Sequence, residues 1–163
     1  STPKPSSAAS DVYKRQTLCW PVDLDPWREL NNGRTLTLYD LGRISHLIRS
    51  DLKNKIMAKG WRFTVAGSSI QYRKRITVFN LLKVNTRLLG WDERFLYFQQ
   101  SMWHKNNPAS SILIRSAVTD TNGIVESERF LKAVDYNGPK LNLPKWVIDW
   151  SKAESLRTWP PEI

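Results

Sequence analysis

Apolar residues recur along this chain with two different periods, and the point where the period changes divides it. Leu18, Trp20 and Val22 alternate within the stretch from Val12 to Val22, which predicts a first strand ending at Pro21 or just after. A loop from Asp23 to Leu30 follows, and Asn31 or Asn32 then offers a side-chain oxygen to cap a helix. Helical spacing follows. Leu38, Leu41, Ser45, Ile48 and Leu52 fall on one face, widened by Leu36, Ile44 and Leu47. So wide an apolar face implies a helix wrapped by a sheet. Gly42 inside the helix costs about 1 kcal/mol relative to Ala, which predicts close approach of a strand or another helix at that point. Lys53 to Gly60 reads as a polar helix end with Gly60 as terminator.

From Trp61 the period is two. Trp61, Phe63 and Val65 alternate, Gly67-Ser68-Ser69 interrupts as a bulge, and Ile70 and Tyr72 resume the pattern. Leu82, Val84, Thr86 and Leu88 alternate with Lys83, Asn85 and Arg87, a strand with one wet face that leads to a turn at Gly90 to Glu93. Phe95 to Met102 and Ile112 to Val118 are further strands, separated by Asn106-Asn107-Pro108. The order is one helix followed by four antiparallel strands. Val125 to Val134 suits a short helix, and Pro144 with Trp146, Trp150 and Ala153 predicts a C-terminal amphipathic helix.

Composition narrows the chemistry. At 163 residues with 40% hydrophobic and 25% charged side chains, the chain is expected to form one globular domain over residues 11–163, after a disordered tail over 1–10. The single cysteine, Cys19, leaves no internal disulfide, and with only His46 and His104 besides it no metal site is expected. Both histidines are read as structural. The sequence shows no long apolar run and no secretory signal, so a soluble, cytoplasmic protein without a membrane partner is expected. A net charge of +10 raises the question of a polyanion, but Arg73-Lys74-Arg75 is the main cluster and nucleic acid is not expected as the partner.

The candidate chemistry lies between Asp23 and Arg43. Asp23 and Asp25 occupy a Pro-stiffened loop feeding the Asn-Asn-Gly helix start. A helix N-terminus has unpaired N–H groups and about half a positive charge, so it polarises a carbonyl while a nearby carboxylate acts as base or nucleophile. Asp25 is one candidate for that carboxylate and a loop-bracing turn former is its alternative. Asp40, on an apolar stripe of the helix, is the second candidate, with an ion pair to Arg43 at i+3 as its structural alternative.

Asp-Leu-Asp-Pro-Trp-Arg-Glu-Leu-Asn-Asn-Gly-Arg, residues 23–34, resembles the Asp-x-Asp…Gly-His-x-Asn-Asn signature of the 4-hydroxybenzoyl-CoA thioesterase family, thioesterase-like branch. The resemblance runs from about Thr17 to Val134. It implies an α+β hotdog fold, an antiparallel sheet wrapped around a long central helix, and an acyl-CoA thioesterase working without a cofactor. By that resemblance Asp25 is the catalytic acid and Asn32 and Gly33 supply the N–H groups facing the thioester oxygen. It also implies Arg73, Lys74 and Arg75 near the CoA nucleotide, and homodimers or dimers of dimers. Ser69 in the bulge is a candidate for bonding pantetheine or the attacking water. A related branch draws its acid from the helix seven residues after a glycine, which here is Asp40 after Gly33. The family's Gly-His pair falls on Arg28-Glu29, and this departure carries the alternative of a hotdog domain that binds acyl-CoA or a partner protein without turnover.

Overall fold

The computed structural model describes residues 12–162, so the expected tail over 1–10 lies outside the described residues. Strand β1 (Tyr13–Leu18) leads through a short 3-10 turn (Pro21–Asp23) and a loop into helix α1 (Asn32–Arg49). Helix α2 (Leu52–Ala58) follows, then β2 (Arg62–Tyr72), β3 (Leu81–Trp91), β4 (Leu96–His104) and β5 (Asn107–Asp120). A short β6 (Gly123–Val125), α3 (Ser127–Ala133) and α4 (Lys145–Ser155) complete the chain. All strand pairs are antiparallel, in the order β1-β3-β4-β5-β2, with β6 beside β5. The sheet curls around α1, so β1 and β2 are its edges.

Period-two patterning explains the two faces of β5. Ile112 and Ile114 point toward α1 and pack with Leu38, Tyr39, Leu82, Val84 and Met102. Leu113, one residue out of phase, points the other way and packs with Tyr97, Val147 and Trp150. Thus α4 covers the convex face through Val147 and Trp150, while Trp146 of the expected apolar set is half exposed. A third cluster joins Ile56 and Trp61 to Phe130 and Leu131 of α3.

Several expected boundaries shift. The long helix breaks at Asp51, whose φ of 57° stops α1 and lets α2 start in a new direction. The segment expected to be helical from Val125 begins instead as β6, because Ile124 and Val125 complete the β5 ladder. In β2 the interruption is a register shift between Val65 and Gly67, where the Gly-Ser-Ser stretch placed the bulge.

The inward face of α1 also differs from the expected stripe. Thr35, Leu38, Tyr39 and Gly42 are buried, whereas Leu36, Leu41, Ile44 and Ile48 are exposed. Gly42 decides this. A Cβ there would lie 3.0 Å from Val84 Cγ1 and 3.1 Å from Gln100 Nε2, so this is where the helix touches the sheet. Gly42→Val is therefore expected to overpack the helix–sheet contact and destabilise the fold by about 2 kcal/mol, read as a lower urea midpoint at unchanged m-value.

Candidate active site

The loop before α1 is fastened from both ends. Asp23 is buried, accepting the Trp20 N–H on Oδ2 at 2.9 Å and the Arg34 guanidinium on Oδ1 from Nε at 2.7 Å and Nη2 at 2.6 Å. Its carbonyl accepts the Asn31 N–H, and the Leu30 N–H reaches Ile76 O at 2.9 Å. Asp23 is thus the brace of the loop. Between these ties the chain makes a tight turn: Asp25 N–H donates to Glu29 O at 2.8 Å and Arg28, at φ 60°, donates its N–H to Asp25 O at 3.0 Å.

Inside the turn, Asp25 Oδ1 accepts two backbone N–H groups, from Trp27 at 2.8 Å and Glu29 at 3.1 Å. Those bonds fix the carboxylate plane. Asp25 Oδ2 makes no hydrogen bond among the described residues, and the side chain, half buried, lines a cleft of about 390 Å³. The same cleft is lined by Asn32 and Thr35 of α1, Tyr72, Arg73, Lys74, Arg75, Met102 and Ser110.

Asn31 is the cap of α1. Its Oδ1 accepts the Gly33 N–H at 2.8 Å and the Arg34 N–H at 3.3 Å, and its carbonyl accepts the Thr35 N–H at 2.8 Å. The Gly33 N–H, one of the two candidate oxyanion donors, is therefore occupied. That leaves the Asn32 N–H as the first-turn donor with no partner among the described residues.

The basic triplet divides by partner. Arg75 Nε sits 2.9 Å from Glu29 Oε1, and Lys74 Nζ donates to Asn107 Oδ1 at 3.0 Å. Arg73 has no side-chain partner among the described residues. Ser69 lies elsewhere. It pairs with Leu113, whose side chain belongs to the convex core, so Ser69 is on the face of β2 away from α1 and does not line the cleft.

The cleft is also lined by Ser110, which motif reading alone does not find and behind which Tyr39 is buried. Ser110 Oγ and Tyr39 Oη are 2.7 Å apart, both buried, and burial raises the Tyr39 phenol far above its ordinary value. The signal for Ser110 was present: extending the period-two pattern of Ile112, Ile114 and Ser116 back one step puts Ser110 on the same face.

Asp40 stands in a second recess of about 240 Å³ further along α1, salt-bridged to Arg43 as the i+3 spacing allowed. His46 lines the same recess with its ring tilted against that of Tyr13 at a centroid distance of 5.3 Å, and burial pushes its imidazole below the ordinary value of 6.5. In the unfolded chain the proton binds near that ordinary value, so the stability His46 contributes is full above it. It is lost as pH falls through the lowered native value. Urea titrations at pH 7 and pH 5 are expected to show a decline in wild type that is smaller in His46→Gln. Among the described residues, no group of three His, Cys, Asp or Glu side chains is arranged to hold a metal, and no helix is long and apolar enough to cross a membrane.

A curled antiparallel sheet around one long helix defines a hotdog domain. The chain belongs to the thioesterase-like superfamily, whose family model matches residues 19–151. It is 35% identical over 138 residues to Protein THEM6 of Xenopus laevis, covering 81% of this chain and 63% of that protein. The chain thus spans less than two thirds of that relative's length. Among solved structures it is similar to the YbaW probable thioesterase of Escherichia coli, with a TM-score of 0.72 at 19% identity over 76% of this chain and 97% of that one. It is also similar to Slr0204, a 1,4-dihydroxy-2-naphthoyl-CoA thioesterase of Synechocystis, with a TM-score of 0.67 at 11% identity over 79% of this chain and 100% of that one.

Proposed function

We propose that this protein hydrolyses an acyl-CoA thioester in the cleft between the 25–29 turn and the start of α1, with Asp25 as general base or nucleophile. The observation that carries the reading is the Asp25 carboxylate itself: one oxygen is pinned by two N–H groups and the other has no partner among the described residues, in the same cleft as the start of α1. As base, Asp25 takes a proton from water while the oxygen adds to the thioester carbon. The oxyanion forms against the Asn32 N–H. Collapse breaks the C–S bond, CoA leaves as thiolate and takes up the proton, and the fatty or aromatic acid is the second product. As nucleophile, Asp25 forms a mixed anhydride that water then cleaves.

Arg73 and Lys74 suit the CoA phosphates better than Arg75, whose guanidinium already faces Glu29. The Synechocystis neighbour's action on an acyl-CoA supports the same substrate class here. A second copy of the chain fits the same picture. Strand β2 is an edge of the sheet, Val65 on it and Ile44 on α1 are exposed around one recess, and Leu36 and Ile48 of α1 are exposed as well. A homodimer, or a dimer of dimers, covers them.

The second reading is a binding module without turnover. It is favoured by the Arg28-Glu29 departure, because Glu29 closes onto Arg75 at the position where the family carries an imidazole. Free-thiol release from short, long and aromatic acyl-CoAs separates the two. Turnover of at least one substrate is expected. Tight CoA binding by the folded wild type with no thiol release establishes the module instead.

A further inference from the structure

The recess around Arg43 is unusual in its mix of charge and burial. Its walls are mostly apolar, with Ile44 and Leu47 from α1, Phe63 and Val65 from β2 and Phe98 from β4, and His46, Thr64, Thr86 and Ser116 are the polar residues among them. Its floor is a guanidinium. The Arg43 side chain is only 13% exposed, and Gln100, itself buried, holds it in place. Gln100 Nε2 donates to Tyr39 O at 2.9 Å and to Thr86 Oγ1 at 2.8 Å, so its Oε1 is turned toward Arg43 Nη1. Of five guanidinium N–H groups, one goes to Gln100 and one to Asp40, and the rest have no partner among the described residues. Asp40 is half exposed and, among the described residues, accepts only from Arg43. Burial pushes Arg43 down to about 10, so it stays charged at neutral pH.

This recess and the Asp25 cleft are both lined by residues of α1 and β2, at different heights, and share no lining residue; the exposed Leu36 of α1 and Ser68 of β2 stand at the heights between them. The guanidinium is level with Asp40, eight residues beyond Asn32, or about 12 Å along the helix. An extended acyl chain of about ten carbons spans that distance.

We propose that an acyl chain bridges the two cavities along the α1–β2 surface, and that the pair selects chains of about ten carbons that end in a hydroxyl, which accepts from Arg43 and donates to Asp40; this rests on the acyl-CoA reading of the Asp25 cleft. The ion pair makes the floor electrically neutral, so an uncharged group that both donates and accepts fits it. A terminal carboxylate meets the Asp40 charge. A terminal methyl strips water from the pair and returns no hydrogen bond, and a site built to bond a hydroxyl rejects the analogue lacking it.

The test is calorimetric binding to the wild-type chain of S-(2-oxoalkyl)-CoA thioethers, which keep the carbonyl and cannot be hydrolysed. The tails compared are decyl length with terminal methyl, hydroxyl or carboxylate, and a six-carbon hydroxyl tail. The ten-carbon hydroxyl tail is expected to bind about tenfold tighter than the methyl tail, with no such gain at six carbons. Arg43→Met is expected to abolish that preference. Asp40→Asn, a change at a half-exposed site that leaves folding intact, is expected to reduce it several-fold. Equal binding of hydroxyl and methyl tails by wild type, a stronger preference for carboxylate, or a preference that survives both substitutions overturns the proposal. Preference without thiol release from the corresponding thioester contradicts the hydrolase reading alone, whereas thiol release without preference contradicts only the hydroxyl pocket.

Discussion

Asp25→Asn is expected to lower kcat for thioester hydrolysis by about 10²–10⁴-fold while leaving KM within a few-fold of wild type. The asymmetry follows from the turn. The Trp27 and Glu29 N–H groups bond one carboxylate oxygen, and an amide oxygen accepts the same two bonds, so the turn and the cleft keep their shape. What is lost is the second oxygen as a proton acceptor or nucleophile. Asp40→Asn is expected to change kcat by less than tenfold, with its effect on KM, because that carboxylate is spent on Arg43 about 12 Å along the helix. Steady-state kinetics of both variants, with circular dichroism as a check on folding, reads the difference. A fall in kcat confined to Asp40→Asn moves the chemistry to the helix.

Arg34→Met is expected to cost about 3 kcal/mol of stability, which for a chain of this length lowers the melting temperature by roughly 6–12 °C. Asp23 is 2% exposed and receives two of the three guanidinium nitrogens of Arg34, Nε and Nη2, on one oxygen. Removing Arg34 leaves a buried carboxylate with the Trp20 N–H as its remaining partner. The reverse change, Asp23→Asn, is milder, about 1–2 kcal/mol, because the Arg34 side chain is 44% exposed and returns to water. Differential scanning calorimetry of the two variants checks the order. Equal losses contradict the brace, and Arg34→Met is also expected to raise KM, because the loop that Asp23 anchors carries Asp25.

Much of this site can be read from the chain because its ties are local. The Asn-Asn-Gly cap, the Asp-Pro turn and the i+3 pair of Asp40 and Arg43 each depend on residues within one turn of each other. The triplet at 73–75 was linked to Asp25 by family resemblance, and the structure brings both to one cleft through the Leu30–Ile76 backbone bond and the Glu29–Arg75 ion pair. What stayed hidden depends on packing. Helix α1 is apolar on two sides, so periodicity alone does not choose between the stripe of Leu36 and Ile44 and that of Leu38 and Tyr39. The contact of Gly42 with Val84 chooses. Ser69 was misplaced for a similar reason: the bulge between Val65 and Gly67 resets which side of β2 each later residue faces, and pairing with Leu113 turns Ser69 outward. Gln100 behind Arg43 comes from a strand 57 residues away and leaves no local trace.

The proposed hydrolysis requires a thioester held between Asp25 and the first turn of α1. A crystal structure of the wild-type chain with an S-(2-oxoalkyl)-CoA thioether tests this arrangement. The ligand carbonyl oxygen is expected about 3 Å from the Asn32 nitrogen, with Asp25 Oδ2 within reach of the carbonyl carbon directly or through one water and the nucleotide beside Arg73 and Lys74. A carbonyl bound beside Asp40, or a nucleotide bound with the acyl group outside the Asp25 cleft, contradicts it.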